Sequence, residues 1–249
     1  MRVLKLTLPT RLLDLTNRQL ISISAMWESG YPETEYLVKS FLILSGIKLD
    51  PVSGRFHHRS IRGSFVIDTD LLAQMCNKCT FLLTPDEIYP IPSIGLSRAR
   101  HYRLYNATFE EYLMAENYYF AYTETKKEEH LDHLIACLYR KPWQTWDAAK
   151  IQLRARAYRK LNPALKNVVF LWYVGFRTYV PKRCKALFSA KGSGTGKPFN
   201  PRDYINGMIH QLSNGDITIK DKLLSRPCWD ALDELEQRAL ENQTLIQSK

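Results

Sequence analysis

Three short patterns in this chain hold residue types that do chemistry. Lys191-Gly-Ser-Gly-Thr-Gly-Lys197 is glycine-rich and ends in lysine, as a phosphate-cradling loop would be. Such a loop needs four residues between its outer glycines, then Gly-Lys and a hydroxyl residue for magnesium. Only three residues separate Gly192 from Gly196, and Pro198 stands in the hydroxyl's place and lacks an N–H for the cradle. The stretch reads as a linker. His130, His133 and Cys137 recur at helical spacing, near enough to one face to consider a metal ion. A zinc site needs three or four converging ligands, and Glu128, Glu129 and Asp132 point partly elsewhere, so ordinary helix residues are expected. Cys76-x-x-Cys79 is a lone pair at the end of an expected helix, Thr69–Lys78. A redox pair would instead open a helix after a strand. With Cys137, Cys184 and Cys228 the count is odd, which suits buried free thiols in a reducing compartment. His57-His58 lies in a polar, arginine-rich stretch without partner spacing, and no Gly-x-Ser-x-Gly nucleophile context occurs. Neither an enzyme, nor a metal, nor a cofactor is expected.

Charge is the stronger signal. The chain carries 35 Lys and Arg against 25 Asp and Glu. Thirteen of the cations fall between Arg140 and Lys191, where only Asp147 opposes them. That block is +12, so the rest of the +10 chain is −2. Lys150, Arg154, Arg156, Arg159, Lys160, Lys182, Arg183 and Lys185 are its candidate partner- or polyanion-binding residues. One reading is phosphate contact, with Trp143, Trp146, Tyr158, Trp172 or Tyr173 stacking on bases. A second is a helix, Trp143–Leu161, whose stripe of Trp146, Ala149, Leu153 and Ala157 is covered by the stems of its cations. A third is docking on an acidic protein, or on the chain's own Glu128-Glu129 and Asp230–Glu241.

These residues must be positioned by a mainly α-helical, multi-helix globular bundle with a few short N-terminal strands. The length of 249 residues and 45% hydrophobic content suffice for a sizeable core. The longest apolar run, Val168–Phe176, is nine residues, where a membrane helix needs about 20. The start, Val3–Leu8, alternates like a strand rather than a leader's apolar stretch, so a cytoplasmic protein is expected. Helix starts are written as caps: Thr16–Gln19, Asp68, Thr84-Pro85, Thr108–Glu111, Asn162-Pro163 and Asn200-Pro201. Gly46 should stop a helix over Glu33–Ser45, and Asn214-Gly215 one that ends near Ser213. The expected regions are 1–106 (α with some β), 107–182 (helical core with the basic block), 183–200 (flexible glycine-rich loop) and 201–249 (C-terminal helices).

One set of motifs resembles a known group. Ala107-Thr-Phe-Glu-Glu-Tyr112 is followed by Ala115, Tyr118 and Tyr122, then by Leu131-x-x-Leu-Ile-Ala-Cys-Leu-Tyr-Arg-Lys-Pro142. Val168, Phe170, Gly175 and Phe176 come next, and the chain opens with Leu8-Pro-Thr-Arg-Leu-Leu-Asp-Leu-Thr-Asn-Arg-Gln-Leu20. Together they resemble helical proteins of tailed phages and prophages of Bacteroidetes-type hosts, and the layout is similar to phage tail-assembly chaperones. The resemblance implies a non-catalytic role in virion assembly inside the host bacterium, with a phage tail protein as partner. It also implies a structural or connector role as an alternative. Holding a client requires an exposed apolar groove. The candidates are the helix around Ile205–Leu212 and the last helix, with Trp229, Leu232, Leu235 and Leu240 as removable anchors. Nucleic-acid binding through the 140–191 block is the alternative from a different class.

Overall fold

The computed structural model describes residues 8–27, 29–50, 53, 55–60, 63–189 and 200–247. The expected strand Val3–Leu8 lies almost wholly outside them. Most helix starts form as written. The Thr16 N–H donates to Gln19 Oε1 (2.9 Å) and the Gln19 N–H to Thr16 Oγ1 (3.3 Å), which opens α1 (Asn17–Trp27). Helix α2 (Glu33–Ser45) buries Tyr36, Leu37, Phe41 and Leu44 and stops at Gly46, whose φ of 69° is left-handed. Strands β1 (Lys48–Leu49), β2 (Phe56–Ser60) and β3 (Gly63–Ile67) form an antiparallel sheet in which Phe56 faces Ile67. His57 and His58 therefore sit on a strand, not in a loop. Asp68 caps α3 (Thr69–Cys76) by accepting from the Asp70 N–H at 3.0 Å, and a 3-10 helix (Asn77–Leu83) continues it.

The Thr84-Pro85 signal does not start a helix. Residues 85–91 have no regular structure, and Ile88 and Ile91 are buried in the core. This segment lies flat against a later helix: a Cβ on Gly175 would come within 2.3 Å of the Asp86 carbonyl oxygen. Tertiary contact outweighs the local cap, and Pro90 and Pro92 deny continuation. Strands β4 (Ser93–Ile94) and β5 (Ser97–Ala99) then form a hairpin turned at Gly95, whose φ is 57°.

Thr108 caps α4 (Phe109–Thr125), and a left-handed Lys126 turns the chain into α5 (Glu128–Leu138). Strand β6 (Tyr139–Arg140) completes a second sheet, with Arg98 opposite Arg140 and Ala99 opposite Tyr139. The single helix expected over Trp143–Leu161 is replaced by a 3-10 turn (Ala148–Lys150), a short α6 (Ile151–Ala155) and a second 3-10 turn (Arg156–Tyr158). Its buried side chains are Ile151, Ala155 and Tyr158, while Leu153 of the expected stripe is 63% exposed. The cause is local. The Trp146 indole N–H is held by Glu110 Oε2 at 2.5 Å, and Asp147 caps the turn by accepting from the Ala149 N–H. Helical structure starts only after Trp146, and the buried face rotates away from the predicted one.

Asn162 caps α7 (Pro163–Arg183), which runs past Phe176 through Pro181 and buries Val168, Trp172, Tyr173 and Phe176. It packs on α1 and α5 at the centre of the molecule. Burying each such side chain stabilises by roughly 1.5–3 kcal/mol before entropy is counted. After α8 (Lys185–Ser189), most of the glycine-rich stretch, including Lys191–Lys197, lies outside the described residues. Asn200 caps α9 (Pro201–Ser213), which left-handed Asn214 and Gly215 stop; α10 (Lys220–Leu224) and α11 (Cys228–Gln247) follow. One core runs from Leu15 to Leu235, so the fold is mainly α with two small three-stranded sheets. Among the described residues no helix is long and apolar enough to cross a membrane.

Candidate polyanion interface

The basic block divides in the fold. Lys166 is 2% exposed, with its ammonium 2.7 Å from Asp132 and 3.1 Å from Glu128. Arg177 Nε lies 2.8 Å from Glu116. Lys166 is thus removed from the surface, and the half-buried Arg177 is compensated by Glu116. Of the eight predicted binding residues, Lys150 pairs with Asp147 (2.8 Å), Lys182 with Asp86 (3.5 Å) and Arg183 with Asp233 (2.5 Å). Arg154, Arg156, Arg159, Lys160 and Lys185 form no ion pair among the described residues. Four of these five follow one another on α6 and the turns after it, whereas Lys185 sits apart on α8.

The sheet brings further cations to this group. Glu111, 3% exposed, takes Arg100 and Arg140 on the same oxygen, Arg140 at 2.7 Å. Arg98 is exposed across the strand from Arg140. The Arg154 guanidinium lies 5.0 Å over the Trp146 ring and donates to the Asp147 carbonyl at 2.6 Å. Trp146 is in turn fixed by Glu110, next to Glu111. Two guanidiniums therefore meet one buried carboxylate, with a third, that of Arg154, close to Arg140. Burial, then Arg100, depresses the proton affinity of Arg140; Glu111 opposes this and Arg154 adds to it. The cluster is also short of partners, since Glu111 Oε2 and the Nε atoms of Arg100 and Arg154 are buried without hydrogen bonds. Beside it Trp143 is 68% exposed, with the Lys141 ammonium 5.8 Å from the ring centre. An incompletely neutralised arginine cluster with an exposed indole three residues along the chain makes this part of the surface electropositive. Sequence reasoning missed Arg98 and Arg100, which lie some 40 residues before the block. Only the β5–β6 pairing delivers them, and Ser97-Arg-Ala-Arg100 held no signal beyond its charge.

The other candidates resolve differently. His133 is buried, its Nδ1 2.5 Å from the Glu129 carbonyl oxygen and its ring stacked on Tyr118. No three His, Cys, Asp or Glu residues converge on a metal position among the described residues. All five cysteines are buried, and burial pushes the Cys79 and Cys184 thiols up to about 11, so they stay protonated at neutral pH. Trp229, Leu232 and Leu235 are 5%, 0% and 0% exposed, which corrects their reading as removable anchors. The Trp229 indole N–H donates to the Arg103 carbonyl at 2.6 Å, and Arg183 covers the ring at 4.1 Å. The open apolar concavity lies instead between α4, α9 and α10. It is about 210 Å³, lined by Leu113, Met114, Ile205, Ile209 and Leu224, with Arg202 and Lys220 among its lining residues.

A second cleft of about 250 Å³ opens between α4, α7, α8 and α9, with Glu116, Tyr112, Tyr119, Arg177 and Tyr204 in its lining. Burial raises the Glu116 carboxyl above its ordinary range, against the pull of Arg177 and Tyr173. The Tyr173 hydroxyl donates to Glu116 Oε1 at 2.9 Å, the oxygen that Arg177 also contacts. Here one carboxylate meets one guanidinium, an arrangement that clamps α4 to α7. Comparison of the chain with models of protein families, with curated proteins and with solved structures finds no match.

Proposed function

We propose that this chain works by presenting surface to another macromolecule rather than by transforming a small molecule, and that its partner is polyanionic. The observation that carries this is a charge imbalance: Arg100 and Arg140 share a single buried carboxylate with Arg154 close to Arg140, and Arg156, Arg159 and Lys160, which follow Arg154 in the chain, have no acidic partner among the described residues. Uncompensated cations at a surface release counterions when they meet phosphates, which gives salt-dependent affinity. The test is fluorescence anisotropy with labelled nucleic acid over a salt series. Submicromolar binding at 50 mM salt is expected, weakening by at least about 100-fold by 200 mM. Reversal of Arg154, Arg156 and Arg159 to Glu should abolish it. Binding that ignores salt, or survives the triple reversal, would sink the proposal.

A second reading follows the resemblance to phage tail-assembly chaperones. It is favoured by the apolar concavity between α4, α9 and α10, to which Ile205 and Ile209 of the expected client-binding helix contribute. In this reading a helical segment of a tail protein occupies the concavity. Co-purification with a tail protein that is lost in Ile209→Asp, and kept in the triple reversal, would establish it over the first.

A further inference from the structure

The exposed indole next to the arginine cluster narrows the partner, and this step rests on the cationic-face reading above. Duplex DNA is read by an element that enters a groove, a helix or a two-stranded ribbon. The helix on this face, α6, has five residues and is bounded by 3-10 turns, so it has no long free surface to insert. What the face offers instead is a flat ring. Trp143 lies three residues beyond Arg140, within about 10 Å along the chain. It is 68% exposed, with the Lys141 ammonium over the ring at 5.8 Å from its centre. An indole left in water keeps an unfavourable apolar hydration that a stacked ring would relieve. In a duplex the base faces are already stacked; in a single strand they are free.

We infer that this face binds single-stranded nucleic acid, with backbone phosphate held by the outer guanidinium edges of Arg98, Arg140 and Arg154 and a neighbouring base stacked on Trp143. Glu111 has a separate part. By taking Arg100 and Arg140 on one oxygen it fixes their planes, so the cluster is pre-formed rather than assembled on binding. Arg154 does not touch Glu111, so it can be removed without exposing that carboxylate.

The experiment compares a labelled oligothymidylate 20-mer with a mixed-sequence 20-base-pair duplex, by anisotropy from 50 to 300 mM salt. Wild type should bind the single strand at least about tenfold more tightly. Trp143→Ala should weaken single-strand binding by about tenfold and leave both duplex binding and the salt slope unchanged, while Trp143→Phe should stay close to wild type. Arg154→Met should weaken both ligands and lower the salt slope by about one contact. Thermal melts of each variant separate lost binding from lost folding. Equal affinity for the two ligands, with Trp143→Ala indifferent, overturns this inference and leaves the cationic-face reading standing. Wild type binding neither ligand overturns both. Loss of duplex binding in Trp143→Ala to the same extent also overturns the inference, because the indole would then be a general contact and not a base platform.

Discussion

Helix α4 carries two buried glutamates, Glu111 and Glu116, five residues apart and in opposite electrostatic situations. Glu116 meets one guanidinium, that of Arg177, and one phenol, that of Tyr173. Charge is balanced there, and the group holds two central helices together. Glu111 meets Arg100 and Arg140, with Arg154 close by, and charge is left over. The same residue type on the same helix thus serves cohesion at one point and supports a positively charged surface at the other. What separates them is stoichiometry, set by which elements pack alongside: α7 next to Glu116, the β5–β6 pair next to Glu111. A buried, balanced pair is worth most to the fold when one member is deleted, whereas an excess cation at a surface is worth little to the fold and much to binding.

That contrast can be broken by substitution. The largest effect is expected from Arg177→Met, which strands Glu116 in the interior and should cost roughly 3–5 kcal/mol in urea unfolding, with Glu116→Gln in the same chain restoring part of it. Gly175→Ala, beside the same clamp, forces a methyl group against the Asp86 backbone and should cost about 1–3 kcal/mol or more by the same measurement. Glu111→Gln is the informative middle case. It should destabilise by roughly 1–3 kcal/mol, because Arg100 and Arg140 lose their counter-charge, yet tighten nucleic-acid binding at low salt. A variant that lost both stability and binding would mean that Glu111 serves binding by holding the guanidiniums in place, and that its negative charge does not limit the cationic surface.

A fourth test uses pH. Burial raises the Glu116 carboxyl above its unfolded value of 4.5, so the folded state keeps a proton that the unfolded state has lost. Stability contributed by this group should therefore fall as pH rises from 4.5 through the raised value, and Glu116→Gln should flatten that decline. Glu234, between Arg226 and Arg238, has the opposite sign: its lowered carboxyl contributes stability above 4.5 that is lost as the medium is acidified through its folded value. Urea midpoints across pH 3–7 for the two Gln variants would show the two slopes. The smallest effect belongs to Arg154→Met, which should leave stability within about 1 kcal/mol of wild type because the loss of its contact with Trp146 is offset by relief of like charge.

Most helix starts were legible because a cap is settled within three residues. Thr16, Asp68, Asn162 and Asn200 each receive the N–H that local chemistry assigns them. Thr108 does too, but its expected partner in the box does not answer: Glu111 turns to Arg100 and Arg140, because a carboxylate gains more from two guanidiniums than from one backbone N–H. Where a signal competed with packing from far along the chain it lost. Thr84-Pro85 gave way to contact with Gly175, and the 143–161 helix was cut short by the hold of Glu110 on Trp146. Arg154, Arg156 and Arg159 could be named from charge density alone. Arg98 and Arg100 could not.

The amino-acid order alone determined that this chain is mainly helical, where most of its helices begin and stop, and that its positive charge is concentrated in the 140–191 block. Those properties depend on neighbours a few residues apart, which the order of residues states directly. Which cations remain free was decided only by the tertiary structure. Lys166 was drawn inside by Asp132 and Arg177 was tied to Glu116, while a strand pairing across some 40 residues added Arg98 to the surface and Arg100 to the Glu111 cluster. The physical reason is that an ion pair forms in space, and its partner can come from any part of the sequence.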